Sequence, residues 1–312
     1  MQPKILITPK SFGNFKSKAY PLLEAKGYQI IENNLGRTLT AQEIINFAAK
    51  DVVGIIVGVD PLTSLVLENC RDLRAISKYG AGMDNIDLVK AKELGIKVKN
   101  AAGTNKISVA ELTIGLIFTL ARRISIAAYT VKNGGWDRQI GFELTAKKLG
   151  LIGGGQVGKE VALRARGLQM SVSIYDPHFN DQEFLAKYQI TRVDHVNDIF
   201  READIVSLHL PLTAETKSLI NSESLKLFKP TAILINTSRG ELVDEEALYT
   251  ALSQQKIAGA AQDVFSSEPP AKDEKLLKLE NFILTPHIGA FTGEAVEKMV
   301  MVSTQNLLDM LE

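Results

Sequence analysis

The sequence has few residues of several kinds, and each shortage argues against a class of protein. It has one cysteine, Cys70, in 312 residues, which rules out an intramolecular disulfide and fits a reducing compartment. Lysine plus arginine equals aspartate plus glutamate, at 36 each, so no net positive charge exists to attract nucleic acid or an anionic membrane. The longest strongly apolar run, 112–121, is too short to span a bilayer. We therefore expect a cytoplasmic protein that binds neither nucleic acid nor membrane.

Metal chemistry is not indicated either. No cluster of histidine, cysteine or acidic residues has the spacing of a zinc or iron site, and no Ser-His-Asp order stands out. The hydrophobic content of 45% is enough for a globular interior, and the length predicts two domains rather than one.

What the chain does contain is a glycine-rich stretch between a predicted strand and a predicted helix. Residues 153–158 read GGGQVG, which has the pattern G-x-G-x-x-G, and the apolar run 149–152 precedes it. Helix-like sequence follows from 159 to 165, and a second strand is predicted at 172–175, ending at Asp176. The bare pattern also fits a glycine-rich turn without a ligand, but the whole order of elements indicates a dinucleotide-binding unit.

Each residue of the glycine-rich stretch has a physical role in such a unit. Gly153 permits the tight turn out of the strand, and Gly155 leaves the backbone open to a pyrophosphate. Gly158 lets the helix pack close to the strand. The helix N-terminus, at Gln156 and Val157, then offers free N–H groups and positive partial charge to the phosphates.

The residue at position 176, an aspartate, indicates whether the cofactor is NAD or NADP. Its carboxylate, at the end of the second strand, can accept hydrogen bonds from a ribose 2′-hydroxyl and would repel a 2′-phosphate. The sequence therefore favours NAD over NADP.

The rest of the chain alternates short apolar runs with helix-like segments. This alternation predicts an α/β protein with two doubly wound parallel-sheet domains, of which the one with the glycine-rich stretch binds the cofactor. A long, largely apolar helix is expected from about 108 to 123, followed by a polar linking segment at 132–142. The other predicted strands lie at 4–8, 28–31, 54–57, 75–79, 204–208, 232–236, 257–262 and 282–285.

Ligands of a doubly wound fold bind beyond the carboxyl ends of its strands, where Asp176, Arg239, Asp263 and His287 fall. Taken alone, a histidine such as His287 is more often an ordinary core or surface residue, and Glu268 looks like an exposed loop acid. The glycine-rich loop at 79–87 offers N–H groups that can hold a carboxylate, or it is a plain helix-entry turn.

Seven motifs together resemble those of the NAD-dependent D-2-hydroxyacid dehydrogenases, the family that includes D-3-phosphoglycerate dehydrogenase. They cover almost the whole chain and follow the order of the family. The motifs are 79–87 (YGAGMDNID), 108–111 (SVAE), 151–158 (LIGGGQVG), 208–213 (LHLPLT), 234–240 (LINTSRG), 259–265 (GAAQDVF) with Glu268 and Pro269, and 285–289 (TPHIG).

The resemblance implies a catalytic set of Arg239, Glu268 and His287. Arg239 would hold the substrate carboxylate through its planar fork and polarise the reacting carbonyl. His287 would exchange the proton of the reacting oxygen, and Glu268 would orient the imidazole. The resemblance also assigns Pro211, Thr237 and Asp263 to the cofactor site, the last near the nicotinamide carboxamide.

Domain organisation follows from the same resemblance. Residues 1–100 plus 287–312 would form a flavodoxin-like substrate-binding domain, and 101–286 an NAD-binding Rossmann domain inserted into it. A homodimer through the cofactor domain and its long helix is implied. Two departures from the family are Ala101-Ala102, where Thr-Pro is frequent, and Gln262, where an apolar residue is usual.

The resemblance implies that the substrate is a small 2-hydroxy or 2-oxo acid, bound through Arg239 and the loop that begins at 78. A phosphorylated substrate needs a second cation, for which Lys78 and then Lys10 are the candidates, if they are not simply solvated lysines. We expect specificity like that of phosphoglycerate dehydrogenase, with a hydroxypyruvate/glyoxylate reductase or a D-lactate-type dehydrogenase as alternatives. The residues expected to contact the substrate besides Arg239 are Lys78, Tyr79, Gly80, Ala81 and Gly82.

Two rivals belong to other classes. An NAD-sensing binding protein, like the family's transcriptional co-repressors, has the same catalytic positions. Formate dehydrogenase shares the broad fold but pairs its histidine with glutamine, whereas Glu268 is a carboxylate.

Overall fold

The computed structural model describes residues 2–312. The chain folds into two compact units, each with its own parallel sheet. Unit 1 comprises the residues up to Asn105 together with Ala290–Glu312, and unit 2 comprises Lys106–Gly289. The predicted fold class, two doubly wound α/β domains, is confirmed, and the second unit is inserted into the first.

Unit 1 has five strands in the order β2-β1-β3-β4-β5, all parallel, which is the flavodoxin-like order. Elements are numbered in chain order throughout. The strands are β1 (Lys4–Ile7), β2 (Gln29–Glu32), β3 (Val52–Val57), β4 (Ala75–Lys78) and β5 (Lys97–Asn100). The helices are α1 (Lys16–Ala25), α2 (Ala41–Phe47), α3 (Ser64–Asn69), α4 (Leu88–Glu93) and α12 (Gly293–Leu311).

The C-terminal helix α12 belongs to unit 1 because its apolar face completes that core. Val300 and Leu307 are fully buried and lie in one cluster with Ile5, Ile56 and Phe12. The central strand β3 is buried along its whole length, as a strand covered on both faces must be.

Unit 2 has seven parallel strands in the order β12-β11-β10-β9-β6-β7-β8. The order reverses between β6 and β9, which makes this pair the switch point where a Rossmann fold binds its ligand. The strands are β6 (Lys148–Ile152), β7 (Ser171–Tyr175), β8 (Thr191–Arg192), β9 (Ile205–Leu208), β10 (Ile233–Asn236), β11 (Gly259–Gln262) and β12 (Phe282–Leu284). The helices are α5 (Lys106–Ala121), α6 (Ile124–Lys132), α7 (Gln156–Gly167), α8 (Gln182–Tyr188), α9 (Val196–Glu202), α10 (Ser222–Leu225) and α11 (Glu245–Ser253).

Three elements differ from the sequence-based expectation. The long helix stops at Ala121 because Arg123 takes a left-handed conformation, with φ of 51°, and a separate helix α6 follows. Strands β5 and β8 were not expected, since β5 is a polar edge strand and β8 has only two residues.

Among residues 2–312, no single helix has both the length and the apolar character needed to cross a membrane. The helices α5 and α6, bent by 65° at the break between them, meet these criteria of length and composition only as a pair.

Candidate functional site

The glycine-rich stretch leaves β6 at the switch point of unit 2. Gly153 has φ of 104°, and a Cβ added there would lie 2.2 Å from the carbonyl oxygen of His209, which follows β9. A Cβ on Gly158 would lie 2.2 Å from the carbonyl oxygen of Gly153. Both positions therefore need glycine, one for its backbone conformation and the other for the close approach of α7 to the turn.

Gly155 differs from the other two glycines because no atom lies within 4 Å of the position that its Cβ would take. It is the N-cap of α7, which begins at Gln156, so open space adjoins the free N–H groups of a helix N-terminus. The loop thus has room for a phosphate at the point where the sequence predicts the pyrophosphate.

Asp176 connects this loop to the end of β7. Its Oδ2 accepts the backbone N–H of Gly154 at 2.8 Å, and its Oδ1 accepts that of His178 at 2.8 Å. A carboxylate can accept more than one hydrogen bond on each oxygen, so ribose hydroxyls can still be accepted. The residue is therefore part of the hydrogen-bonded structure of the loop and keeps acceptor capacity for a further donor.

Arg239 lies in a turn held by the last residue of β10. The Asn236 side chain donates from Nδ2 to the Arg239 carbonyl at 2.8 Å and accepts the Ser238 N–H at 3.0 Å. A Cβ on Gly240 would lie 2.1 Å from the carbonyl carbon of Phe265, so this turn packs directly on the next loop. Nearby, the hydroxyl of Thr237 lies 3.0 Å from that of Thr113 on α5.

Glu268 and His287 form a pair, in which Oε2 of the carboxylate lies 2.8 Å from Nδ1 of the imidazole. The other carboxylate oxygen accepts the Phe265 N–H at 2.9 Å. Burial alone raises the pKa of Glu268, but the bond to His287, its charge, the Phe265 N–H and the Arg239 charge together lower it. The side chains of His287 and Glu268 are 40% and 37% exposed, so the pair is partly open to solvent.

Asp263 fixes the turn that carries His287. Its carboxylate accepts the Thr285 hydroxyl at 2.5 Å and the N–H groups of Ile288 and Gly289 at 2.9 and 2.7 Å. Burial is the main cause that raises its pKa, against these hydrogen bonds and the His287 charge. Through these bonds His287 belongs to unit 2, whereas the expected boundary at 286/287 placed it in the first domain.

The predicted substrate loop begins inside unit 1. Lys78 is 6% exposed, and its ammonium donates to the carbonyl of Gly58 and to Oδ1 of Asn85, the latter at 3.0 Å. The Tyr79 hydroxyl accepts a bond from Ser11 Oγ at 3.2 Å.

After these two side chains the loop turns, and Gly80 has φ of 118°. Of the two residues that follow, Ala81 is exposed and Gly82 is partly buried. Lys10, the second candidate cation, is exposed.

Two further polar residues of unit 2, one partly and one fully buried, lie near the candidate site and were not predicted to belong to it. His209 directly follows β9, its Nε2 lies 2.8 Å from Ser207 Oγ, and burial lowers its pKa to about 3. Gln262, noted only as a departure, is fully buried beside Asp263. Pro211 is exposed, and its carbonyl accepts the Thr216 hydroxyl at 2.7 Å. Between residues 2 and 312 no group of three histidine, cysteine or acidic side chains could hold a metal ion.

Comparison with known proteins agrees with this geometry. Residues 114–289 match the family model described as the D-isomer specific 2-hydroxyacid dehydrogenase, NAD binding domain. The chain therefore belongs to the D-isomer specific 2-hydroxyacid dehydrogenase family, a family of NAD-dependent oxidoreductases, and NAD is its cofactor.

Relatives with different substrates are similar to this chain. It is 41% identical to D-3-phosphoglycerate dehydrogenase of Methanocaldococcus jannaschii over 94% of this chain and 54% of that protein. It is 39% identical to hydroxypyruvate reductase of Thermotoga maritima over 89% of this chain and 92% of that protein. The chain spans about half the length of the phosphoglycerate dehydrogenases that it matches.

Among solved structures, the apo form of D-lactate dehydrogenase from Escherichia coli is 29% identical, with a TM-score of 0.85. That alignment covers 99% of this chain and 96% of the other. The likeness thus extends over both units and is not limited to the NAD-binding domain.

Proposed function

We propose that this protein catalyses the reversible, NAD-linked interconversion of small 2-oxo acids and D-2-hydroxy acids. The observation that carries the proposal is the pairing of His287 with Glu268 at 2.8 Å inside the NAD-binding unit. Arg239 follows β10 of the same unit, so all three side chains extend from the carboxyl edge of one sheet.

The three side chains have complementary chemistry. The Arg239 guanidinium holds the substrate carboxylate in two parallel hydrogen bonds and polarises the adjacent carbonyl. Nε2 of a protonated His287 delivers a proton to the carbonyl oxygen during reduction and takes it back during oxidation. Glu268 fixes the ring through Nδ1 and stabilises the imidazolium, which requires the carboxylate to be ionised, as its lowered pKa provides.

The residues of the glycine loop fit the cofactor. The open space at Gly155 and the N-terminus of α7 would receive the pyrophosphate, and Asp176 would accept the ribose hydroxyls. The nicotinamide supplies or accepts the hydride when NAD(H) is bound. Thr237 and Pro211 lie after β10 and β9, beside the same edge of the sheet, and Asp263 holds the His287 turn there.

Within this reaction we propose an unphosphorylated substrate of the hydroxypyruvate or glyoxylate type. The expectation of a phosphoglycerate-type substrate depended on Lys78, and that ammonium donates to Gly58 O and Asn85 Oδ1 from a buried position. The ammonium is buried and already uses two of its three N–H donors on these acceptors, so a phosphate there would have to compete with them for a buried charge.

The test is oxidation of NADH with hydroxypyruvate, glyoxylate, pyruvate and 3-phosphohydroxypyruvate in parallel. Turnover with at least one of them supports the reaction, and the absence of turnover with all four would overturn it. A kcat/KM for 3-phosphohydroxypyruvate well above that for hydroxypyruvate would return the substrate assignment to the phosphorylated class.

We also propose a homodimer formed through unit 2. The helix α6 and the segment after it expose large apolar side chains, among them Tyr129 at 71%, Trp136 at 77% and Ile140 at 93%. Exposed apolar side chains clustered in one region usually mark an interface. A mass of twice 34.1 kDa by light scattering is expected, and Ile140→Glu should reduce it to that of one chain.

The cytoplasm remains the proposed compartment. The one cysteine, Cys70, is a buried free thiol, and burial raises its pKa to about 11. Such a thiol is inert and needs no oxidising environment. Localisation of a tagged chain in its own cells would test this.

A further inference from the structure

Gln262 is a buried amide at the end of a strand whose other residues are glycine and alanine. It is the last residue of β11, is fully buried, and its Oε1 has no hydrogen-bond partner among residues 2–312. The strand before it reads Gly-Ala-Ala, and all of it is buried. A buried polar atom without a partner destabilises a fold, so a residue of this kind calls for a functional explanation.

The donor side of the same amide contacts a peptide group that supports the catalytic pair. Nε2 of Gln262 donates to the carbonyl of Val264 at 3.4 Å. The N–H of Phe265, which belongs to the same peptide group, donates to Oε1 of Glu268 at 2.9 Å. The other oxygen of Glu268 bonds His287 at 2.8 Å, so a continuous chain of hydrogen bonds joins Gln262 to the imidazole.

Hydrogen bonds in such a chain strengthen one another. A donor on the carbonyl of a peptide polarises the group and makes its N–H a better donor. The Phe265 N–H is one of the groups that lower the pKa of Glu268. Gln262 therefore acts on the carboxylate through one peptide, without touching it.

The neighbouring strand has an amide in the equivalent place. Asn236 ends β10 and pairs in register with Gln262, so the two side chains leave the sheet on the same face. Asn236 holds the turn of Arg239 through two hydrogen bonds. Two adjacent strands thus each end in a buried amide, and each amide supports the loop that carries a catalytic side chain.

We propose that Gln262 is a positioning residue that holds the 264–265 peptide in the orientation that fixes Glu268 against His287. The inference rests on the proposed function for its kinetic readout. Gln262 is not proposed to contact the substrate. Its role would add a residue of β11 to those that orient the proposed catalytic side chains at the carboxyl edge of the sheet.

The test compares wild type with Gln262→Met, which keeps the side-chain volume and removes both polar atoms. We expect kcat/KM for the best 2-oxo acid to fall about fivefold, the worth of one net hydrogen bond, with NADH affinity unchanged. The carboxyl carbon resonance of Glu268, assigned with Glu268→Gln, should titrate at a higher pH in Gln262→Met, because the Phe265 N–H is less well held. The melting temperature should not fall, since an unpaired buried oxygen is lost.

Gln262→Glu gives an independent check, since a carboxyl group at this buried position is protonated and its O–H can still donate to the Val264 carbonyl, so kcat/KM should fall less than in Gln262→Met. The control is Ser77→Ala in unit 1, which also removes a buried oxygen without a partner and should leave the Glu268 titration unchanged. Wild-type kcat/KM and an unmoved Glu268 titration in Gln262→Met would overturn the inference. The titration needs no turnover, so it tests Gln262 even if the proposed function fails.

Discussion

Glu268 contacts His287 through one carboxylate oxygen and the backbone of its own loop through the other, at 2.8 and 2.9 Å. The carboxylate is thereby fixed at both oxygens, and it holds an imidazole whose side chain is 40% exposed. A general acid needs this kind of support, because proton transfer depends on an orientation that is set before the substrate arrives.

Replacing His287 by alanine should remove most turnover and leave NADH binding intact. General acid–base catalysis contributes about 10²–10⁴-fold, so kcat should fall by a factor in that range. Stopped-flow or steady-state NADH oxidation measures kcat, and fluorescence titration measures the NADH affinity. The matched control is His195→Ala, which changes an exposed histidine beside α9 and should behave like wild type. Near wild-type kcat in His287→Ala would assign the proton transfer to another group.

Two glycines of the cofactor loop should respond oppositely to the same substitution. Gly155→Ala adds a methyl group to open space, so the fold should remain stable while NADH binds at least about tenfold more weakly, through steric exclusion of the phosphate. Gly158→Ala places its methyl group 2.2 Å from the Gly153 carbonyl and should destabilise unit 2 by about 1–3 kcal/mol. Thermal melts and NADH titrations of the two variants separate the effects. Equal loss of stability in both would contradict the geometry of the loop.

Asp176→Ala should narrow the preference for NADH over NADPH and also loosen the loop. The carboxylate would repel a 2′-phosphate, so its removal should weaken the preference for NADH. It also accepts hydrogen bonds from the Gly154 and His178 N–H groups, and these two donors lose their acceptor in the variant. The ratio of kcat/KM for the two cofactors and the melting temperature report the two roles. Asp181→Ala, which removes the N-cap of α8 instead, should lower stability without changing the ratio. A wild-type enzyme with equal kcat/KM for both cofactors would refute the reading of Asp176.

The neutral, partly buried His209 should make the protein less stable as the pH falls. Burial lowers its pKa from the ordinary 6.5 to about 3, so below pH 6.5 the unfolded chain takes up a proton that the folded chain does not. The contribution of His209 to the free energy of unfolding is fully present above pH 6.5. It decreases toward pH 3, by up to about 1.4 kcal/mol per pH unit.

His209→Gln has no titrating group at this position, so its stability should change less with pH. Denaturant unfolding at about pH 8 and about pH 5 measures the difference for each protein. The raised pKa of Asp263 acts in the opposite direction, but both proteins share it, so it cancels in the comparison. An equal pH dependence in the two proteins would show that His209 is not the titrating group.

The order of elements and the glycine-loop residues could be predicted because local rules determine them. The local sequence shows a strand, a turn that needs Gly153, a helix and then Asp176 at the end of the next strand, in that order. It also shows the alternation of strands and helices that produces two parallel sheets. The break at Arg123 and the edge strand β5 could not be predicted in this way. A left-handed residue other than glycine and a polar edge strand leave no apolar pattern.

Several hydrogen bonds that hold the proposed catalytic residues could not be predicted either, for a different reason. From its own stretch of sequence Glu268 reads as an ordinary loop acid, and only the family resemblance predicted its pairing with His287. Its second bond, from the Phe265 N–H, was not predicted. Asn236 and Gln262 become neighbours only through the register of β10 and β11. Contacts between residues distant in the chain are set by the sheet, and one sequence has no local signal for them.

The proposed activity is NAD-linked oxidation and reduction at the carbon next to a carboxylate, with one stereochemical outcome. The most direct measurement is the reduction of NAD with D-glycerate and, separately, with L-glycerate, followed as NADH absorbance for wild type and His287→Ala. We expect wild type to form NADH with the D enantiomer and not with the L enantiomer, and His287→Ala to lose most of that rate. NADH formation from the L enantiomer, or none from either enantiomer by a protein that also fails to oxidise NADH with any 2-oxo acid tested, would contradict the account.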